Sequence, residues 1–283
     1  MKKKLLIALG LIVILLGIGF FAIYRNLDKI VRVATERGLA FVLQVPVSVG
    51  GATVKPTKGF IEFREIVIGN PPGYNTDRAM RFGLIRTQVD LKSIRTDKPT
   101  VNLVQVSGTE ITMEAKRGGS NLQDLMNNAS RLSQKEKEEP PAEKKSEKAF
   151  KIEKVIVEQT TARVAIPFLG GQTLDVPLKR VEMENLGGKN ERVTPAKAIE
   201  LFLAEILGSI QSAGASILPG DVLASLGDSL KALPSEVLGQ LKQAPEAVTG
   251  AVRDAAKGVG DTINSVGDGI GGLLGRKKTE DNK

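Results

Sequence analysis

The 283-residue chain has no cysteine, no histidine and no tryptophan, and only two tyrosines. Without Cys or His there is no thiol nucleophile, no Ser-His-Asp triad, no imidazole base and no thiolate or imidazole metal site. Chemistry built on carboxylates or lysine survives that cut, while most hydrolase and redox chemistry does not. The lack of cysteine also rules out disulfides, which is compatible with either side of a membrane. Aromatic residues are 4% of the chain, few platforms for stacking bases, and the net charge of +8 is modest for this length. Nucleic acid is therefore not an expected partner. A phosphate loop is missing too, because Gly118-Gly119-Ser120-Asn121 lacks the Gly-Lys-Ser/Thr ending. The carboxylates Glu62, Glu65, Glu110 and Glu114 stand at strand-alternating spacing, the pattern of a solvated sheet face and not of an acid–base pair. The sequence predicts no enzyme, no catalytic residue, no metal site and no cofactor.

Charge is absent from one long stretch. Leu5 to Tyr24 (LLIALGLIVILLGIGFFAIY) carries none, and at 1.5 Å per residue it spans about 30 Å, the thickness of a bilayer's hydrocarbon core. A secretory signal would have a shorter apolar region and a small-x-small cleavage site. Here the run ends Phe20-Phe21-Ala22-Ile23-Tyr24-Arg25, with bulky residues where a peptidase needs small ones. Residues 1–25 are read as an uncleaved transmembrane anchor. Lys2, Lys3 and Lys4 precede the span, which by the positive-inside rule holds the short tail in the cytoplasm. The expected place is a bacterial inner membrane, crossed once, with the bulk of the chain in the periplasm.

After the anchor, residues 26–44 show Leu27, Ile30, Val31, Ala34 and Leu39 at helical spacing, a juxtamembrane helix. Residues 45–132 are β-rich, with apolar alternation recurring between Gly, Pro and Asp turn signals. Thr109 to Ala115 alternates as a half-buried strand should. Ser120 is placed to cap a short helix from Asn121 to Leu132. Residues 133–149 read as a charged linker: from Gln134 to Ala149 five Lys balance five Glu around Pro140-Pro141, too polar to offset the entropy of ordering. Residues 150–190 resume the alternation, as the second part of the same antiparallel sheet. Thr194 as N-cap and Pro195 as first residue then open a packing helix over 194–213, with Ile199, Leu203, Ile206 and Ile210 on one face.

Residues 219–276 form an amphipathic tail with an eleven-residue repeat. Val222, Leu226, Leu230, Leu233, Val237, Leu241, Ala244, Val248, Val252, Ala255, Val259, Ile263, Val266, Ile270 and Leu274 are spaced 4-4-3 without a break. That period of about 3.67 residues per turn keeps an apolar stripe nearly straight along a helix. Eleven glycines lie between Gly220 and Gly275, each costing about 1 kcal/mol in a helix interior, so the stripe needs a surface to lie on. A membrane, the protein's own sheet and a second copy are the three surfaces available. Residues 277–283 are read as disordered.

The apolar anchor, the strand Val49-Gly-Gly-Ala-Thr-Val54, and Gly59-Phe-Ile-Glu-Phe-Arg-Glu-Ile-Val-Ile-Gly-Asn-Pro-Pro-Gly-Tyr74 together resemble the N-terminal region of AsmA-like proteins. The stretch with Ile85, Val89-Asp90-Leu91 and Val101 to Val106 continues the likeness. So does Gly119-Ser120-Asn121-Leu122-Gln123-Asp124-Leu125, similar to that family's "SNL" segment. The resemblance covers mainly residues 1–130. It implies an inner-membrane protein with a periplasmic β-rich groove, linked to lipid transport and outer-membrane homeostasis; no catalytic residues come with it. The chain is short for that family. Eight to ten strands spaced about 4.8 Å give a sheet of roughly 40–50 Å, too short to bridge two membranes.

The expected fold class is α+β: a transmembrane helix, a twisted antiparallel sheet with an AsmA-like groove interrupted by the charged linker, and C-terminal amphipathic helices. The expected function is lipid handling or envelope homeostasis through an apolar sheet face, with membrane lipids as partners. Candidate groove residues are Val101, Leu103, Ile111, Met113, Val164, Ile166 and Phe168, which would serve equally as plain core. Candidate tail-face residues are Leu226, Leu230, Leu233, Val237, Leu241, Val248, Val252, Val259, Ile263, Val266 and Ile270. The competing reading is a non-enzymatic envelope adaptor with a dry core, whose tail binds a partner protein or a second copy.

Overall fold

Every long strand of this protein alternates apolar and polar residues on both sides of a point where the alternation loses step. The computed structural model describes residues 24–96, 98–116, 118–138, 149–167, 170, 172–186, 193–233 and 237. The expected anchor up to Ile23, most of the charged linker, Phe168 and the tail beyond Val237 lie outside those residues. Helix α1 is Leu27–Leu43; strands β1 (Val47–Lys55), β2 (Phe60–Ile68), β3 (Met80–Val89), β4 (Thr100–Lys116) and β5 (Gly119–Ser120) follow. Helix α2 is Asn121–Glu138, then come β6 (Lys151–Ile166), β7 (Gln172–Leu178) and β8 (Val181–Leu186). Helices α3 (Pro195–Ala213) and α4 (Gly220–Lys231) end the described order. Among the described residues no helix is long and apolar enough to cross a membrane.

The fold is α+β with one eight-stranded sheet in the order β1-β2-β3-β4-β6-β7; β5 pairs with the end of β4, and β8 lies beside β6 next to β7. The expected all-antiparallel sheet needs correction, since β4 and β6 run parallel from Thr100↔Lys151 to Glu114↔Ala165. Parallel neighbours need a crossover of a dozen residues or more, usually through a helix. That crossover is α2, which continues past the expected end at Leu132 to Glu138, into the stretch read as tether. Ser120 does cap it, its Oγ accepting from the Gln123 amide at 3.3 Å. Thr194 caps α3 in the same way, accepting from the Lys197 amide at 3.2 Å.

The lost step falls in one row across the whole sheet. Gly50, Glu65, Gly83, Gly108 and Gln159 stand opposite one another in register, and the turn at Lys179-Arg180 between β7 and β8 continues the row. Glu65, Gly108 and Gln159 have φ of +53°, +64° and +54°, a conformation that turns the side-chain alternation over. Inward residues are 106 before the row and 109, 111, 113 after it on β4; on β6 they are 155 and 157, then 160, 162, 164 and 166. Since every strand slips at the same row, both halves of the sheet keep their apolar side on one face. Close approach marks two of the glycines: a Cβ on Gly50 would lie 2.9 Å from the Glu65 Cβ and force a shift, and one on Gly83 would lie a tight 3.2 Å from the Gly108 carbonyl oxygen. Positive φ and inserted residues bend and twist strands, so this row is a crease.

Helix α1 lies along the open edge of β1. Asp28 Oδ1 accepts from the Val54 amide at 2.8 Å and Arg32 donates to the Val49 carbonyl at 3.1 Å. Two groups that would otherwise invite another strand are thus occupied. The far end of α1 is pinned to α2, where Asn128 Nδ2 donates to the Leu43 carbonyl at 2.8 Å.

The crease yields a paired prediction. Gly108→Ala forces a Cβ into positive φ and should cost about 1–2 kcal/mol. Gln159→Gly, at an exposed position of the same row, should be neutral or stabilise by up to about 1 kcal/mol. Urea unfolding of both variants checks the pair, and equal destabilisation would count against the crease.

Candidate functional site

The crease leaves the sheet with one apolar and one charged face. Below the row, meaning toward Lys55, Phe60, Val89 and Thr100, two ladders cross the inner face. Ala52, Phe63, Ile85, Val106, Val157 and Val181 form one; Val54, Ile61, Thr87, Val104, Val155 and Met183 form the other. Above the row, Val49, Ile66, Phe82, Thr109 and Thr160 continue it, followed by Val47, Ile68, Met80, Ile111, Ala162 and Val176. The outer face carries ion pairs: Arg81 holds Glu65 at 2.7 Å and Glu110 at 2.9 Å, and Arg86 holds Glu62 at 3.0 Å with Arg64 also on that carboxylate. The hydrogen bond from Arg86, aided by the charge of Arg64, holds the Glu62 carboxyl below its ordinary range. Glu65 and Glu110 are thus on a solvated face as expected, whereas Glu62 is shaded by its two arginines.

Helices pack on the upper half of the inner face, and toward β6 and β8 the lower half is buried as well, with Val106, Val155, Val157, Val181 and Met183 in the same core. Phe202 of α3 packs on Phe82 with ring centroids 5.9 Å apart, and α3 is flanked by α2 and α4. Of the candidate groove residues, Ile111, Met113, Val164 and Ile166 are fully buried in this covered half, in one cluster with Leu201, Leu203 and Leu207. They line packed interior and not an open trough. Val101 is half-buried against the same cluster; Leu103 falls in the outer-face row with Gln88 and Lys154, because a second slip at Gln88/Val89 displaces the register. Phe168 lies outside the described residues. On the β1–β3 side of the lower half, Ala52, Val54, Ile61, Phe63 and Ile85 remain half-exposed.

The first positions of the tail register turn toward the protein. Val222, Leu226, Leu230, Leu233 and Val237 are buried and belong to the main core cluster. Helix α4 stops at Lys231, shortly before Pro234. Leu241, Val248, Val252, Val259, Ile263, Val266 and Ile270 lie outside the described residues.

At the upper end a polar pin holds the Gly69–Tyr74 loop to β4 and α2. The buried Asn121 amide accepts from the Glu114 backbone N–H at 2.9 Å, and donates to Asn70 Oδ1 at 2.7 Å and the Thr112 carbonyl at 2.8 Å. The Glu114 carboxylate, buried and not solvated as the alternation suggested, accepts from the Asn75 and Thr76 amides at 2.9 and 2.7 Å. Tyr74 donates to Asp124 at 2.7 Å, and Lys116 reaches that same carboxylate at 2.8 Å while lying 4.5 Å over the Tyr74 ring. Burial and the bond to Asp124 push the Tyr74 hydroxyl up to about 12. The turn formers and the Ser-Asn-Leu segment were visible in the sequence, but their partnership was not. Their role here is to brace the covered end.

Two acidic groups on α3 escaped the sequence reading, although a carboxylate inside an otherwise apolar helix is a signal. Glu200 is buried and paired with Lys197 at 3.1 Å. Glu205 is buried with both carboxyl oxygens unpartnered, and burial pushes its carboxyl up to about 7.

Two hollows lie between the helices and the upper end. One of about 180 Å³ sits between the end of β4, Gly119, Gln123 and Val222 of α4, small for an organic ligand. The other, about 750 Å³, opens between Pro71-Pro72, the polar side of α2 and Leu233. Among the described residues no three acidic side chains converge as a metal site would require. Comparison of the chain with protein-family models and with curated proteins finds no match.

Two predictions arise from these groups. Asn121→Ala strips three buried partners and should lower stability by about 3 kcal/mol, with the loop at Asn75 losing amide-exchange protection first. Glu205 binds a proton in the folded protein that the unfolded chain, with an ordinary value of 4.5, releases. Stability should therefore fall as pH rises from 4.5 to about 7 and stay level above it, by up to about 3 kcal/mol. Glu205→Gln should flatten that slope in thermal unfolding across this pH range.

Proposed function

We propose that the chain is an AsmA-like, single-pass protein of a bacterial inner membrane whose periplasmic sheet handles lipid on its apolar face. The observation that carries this reading is the asymmetry of that face. One continuous apolar side crosses the crease; helices close its upper half, while Ala52, Val54, Ile61, Phe63 and Ile85 below stay half-exposed. Burying such a patch against an acyl chain gains about 25 cal/mol per Å² of apolar surface, which favours lipid over water there. The uncharged run from Leu5 to Tyr24 supports the anchor, and the order of strands, Gly69–Tyr74 loop and Ser-Asn-Leu segment supports the family. The reaction class is transfer or holding without covalent chemistry.

A second reading, an envelope adaptor with a dry core, draws on the buried Ile111, Met113, Val164 and Ile166 and on the inward tail positions. One measurement separates the two. The full chain, extracted in a mild detergent and examined by native mass spectrometry, should retain phospholipid near one molecule per chain. Phe63→Ser with Ile85→Thr should lose most of it, while an unchanged circular-dichroism spectrum shows that the variant remains folded. A chain that never carries lipid, in wild type and variant alike, would leave the adaptor reading in front.

A further inference from the structure

The half-exposed end of the sheet is also the end from which the chain departs toward its apolar run. Asp28, in the first turn of α1, holds the Val54 amide near the end of β1, four residues after Tyr24, which is itself 52% exposed. Two loops meet at this end: Pro56–Gly59 between β1 and β2, and Asp90–Pro99 between β3 and β4. They are joined by Val89 N–H to the Gly59 carbonyl at 2.7 Å and by Gln88 Nε2 to the Lys58 carbonyl at 2.7 Å. Strand β6 starts here as well, with Lys151 N–H on the Pro99 carbonyl at 2.8 Å.

These loops carry exposed apolar and basic side chains together. Leu91 and Ile94 are 41% and 53% exposed, two of the few exposed large apolar side chains among the described residues. Lys55, Lys58, Lys92, Arg95 and Lys98 stand exposed around them. The acidic residues of the loop are Asp90 and Asp97, and Asp90 is occupied in turning the chain, accepting from the Lys92 amide at 2.9 Å. Ser93 fixes the turn rigidly, its Oγ accepting from the Thr100 amide at 2.7 Å and donating to the Asp90 carbonyl at 2.7 Å. The apolar pair is thus presented on a braced short turn with cations on its flanks.

We propose that this end is a docking surface for an anionic phospholipid bilayer, with Leu91 and Ile94 set at the boundary between headgroups and acyl chains and the surrounding cations on phosphates. The inference rests on the anchoring proposed above and deepens it: it places the half-open apolar face against the membrane and the closed, helix-covered end away from it. Apolar residues ringed by Lys and Arg are the composition that interfacial binding uses. Each cation near an anionic surface contributes about a fivefold factor in partition. Continuity of the chain supplies the geometry, since a loop tethered this close to a membrane span has a high effective concentration at the bilayer.

The chain has no cysteine, so single labels can be introduced cleanly. Full-length Ile94→Cys, carrying an environment-sensitive fluorophore, is reconstituted into vesicles of phosphatidylcholine alone or with phosphatidylglycerol. Asp175→Cys, on β7 above the crease, serves as the distant site. With phosphatidylglycerol present, the label at 94 should shift to the blue and be quenched by lipid-borne spin labels, while the label at 175 stays aqueous. Lys58→Gln, Lys92→Gln and Arg95→Gln should each weaken the docked population about fivefold, and high salt should act in the same direction. An aqueous label at 94 in anionic vesicles overturns the proposal. So does a label equally buried with and without phosphatidylglycerol and indifferent to the charge substitutions. Extraction of the chain by alkaline carbonate would instead overturn the anchoring on which the proposal rests, so the two failures are told apart.

Discussion

A β-strand offers the core every second residue, and a one-residue slip sends the rest of the strand's apolar side chains to the opposite face. Strands of 16 and 17 residues, such as β6 and β4, would expose half their core if any one slipped alone. Here all slip together. Gly50, Glu65, Gly83, Gly108 and Gln159 occupy one row, and every other feature of the molecule depends on their agreement. The inner face stays apolar across the bend, the outer face stays charged, and the close approach of Gly83 to Gly108 would crowd a side chain on the third strand. Glu65 and Gln159 adopt positive φ without being glycine. The strain, about 1–2 kcal/mol per residue, is offset because the alternative misplaces several apolar residues at once.

The upper half then closes by ordinary packing, but with polar groups enclosed. Thr109 and Thr160, neighbours in the row just above the crease, have buried hydroxyls without partners, as Glu205 does on α3. Such groups cost free energy wherever they occur, and the braced network around Asn121 and Glu114 supplies the compensating order at the same end. The crossover through α2 makes this arrangement necessary. It carries the chain from the end of β4 to the start of β6, which fixes those strands as parallel neighbours and lays a helix over the upper half. Among the described residues, Ala52, Val54, Ile61, Phe63 and Ile85 on the β1–β3 side of the lower half stay half-exposed.

Much of this was legible in the sequence, and the rest was not, for definable reasons. The strands, the caps at Ser120 and Thr194, and the span of α3 followed from local chemistry. Alternation from Thr109 to Ala115 was clean because it begins immediately after the Gly108 slip. The parallel pairing was missed because nothing local distinguishes a tether from a crossover: the stretch after Leu132 is polar, yet its first residues extend α2. Glu62 and Glu114 fit a solvated pattern and are buried, since Arg86 and the Asn75 amide, which meet their carboxylates, come from residues 24 and 39 positions away. Leu103 alternates correctly with Val101 on paper, and only the displaced pairing beyond Gln88 puts it on the other face. The eleven-residue register did mark buried positions as far as Val237, while saying nothing about which surface would bury them.

The dimensions bear on what a lipid-handling sheet of this kind could do. Strands β7 and β8 share one partner, so six of the described strands stand abreast, about 25 Å across and narrower than the expected eight to ten strands would give. The half-exposed region spans β1 to β3, about 10 Å across, and some five residues along each strand, about 17 Å. That area accommodates part of an acyl chain pair and not a file of lipids. On the proposed reading the chain therefore works at the bilayer surface, sheltering a lipid drawn partly out of the leaflet, and the closed upper end stops onward movement along the sheet. Passage further would require either a second protein meeting the sheet at its β7 and β8 edge or displacement of α3 from Phe82, and the second route exposes Leu201, Leu203 and Leu207 at once. The first costs far less, because pairing at a sheet edge unpacks no core.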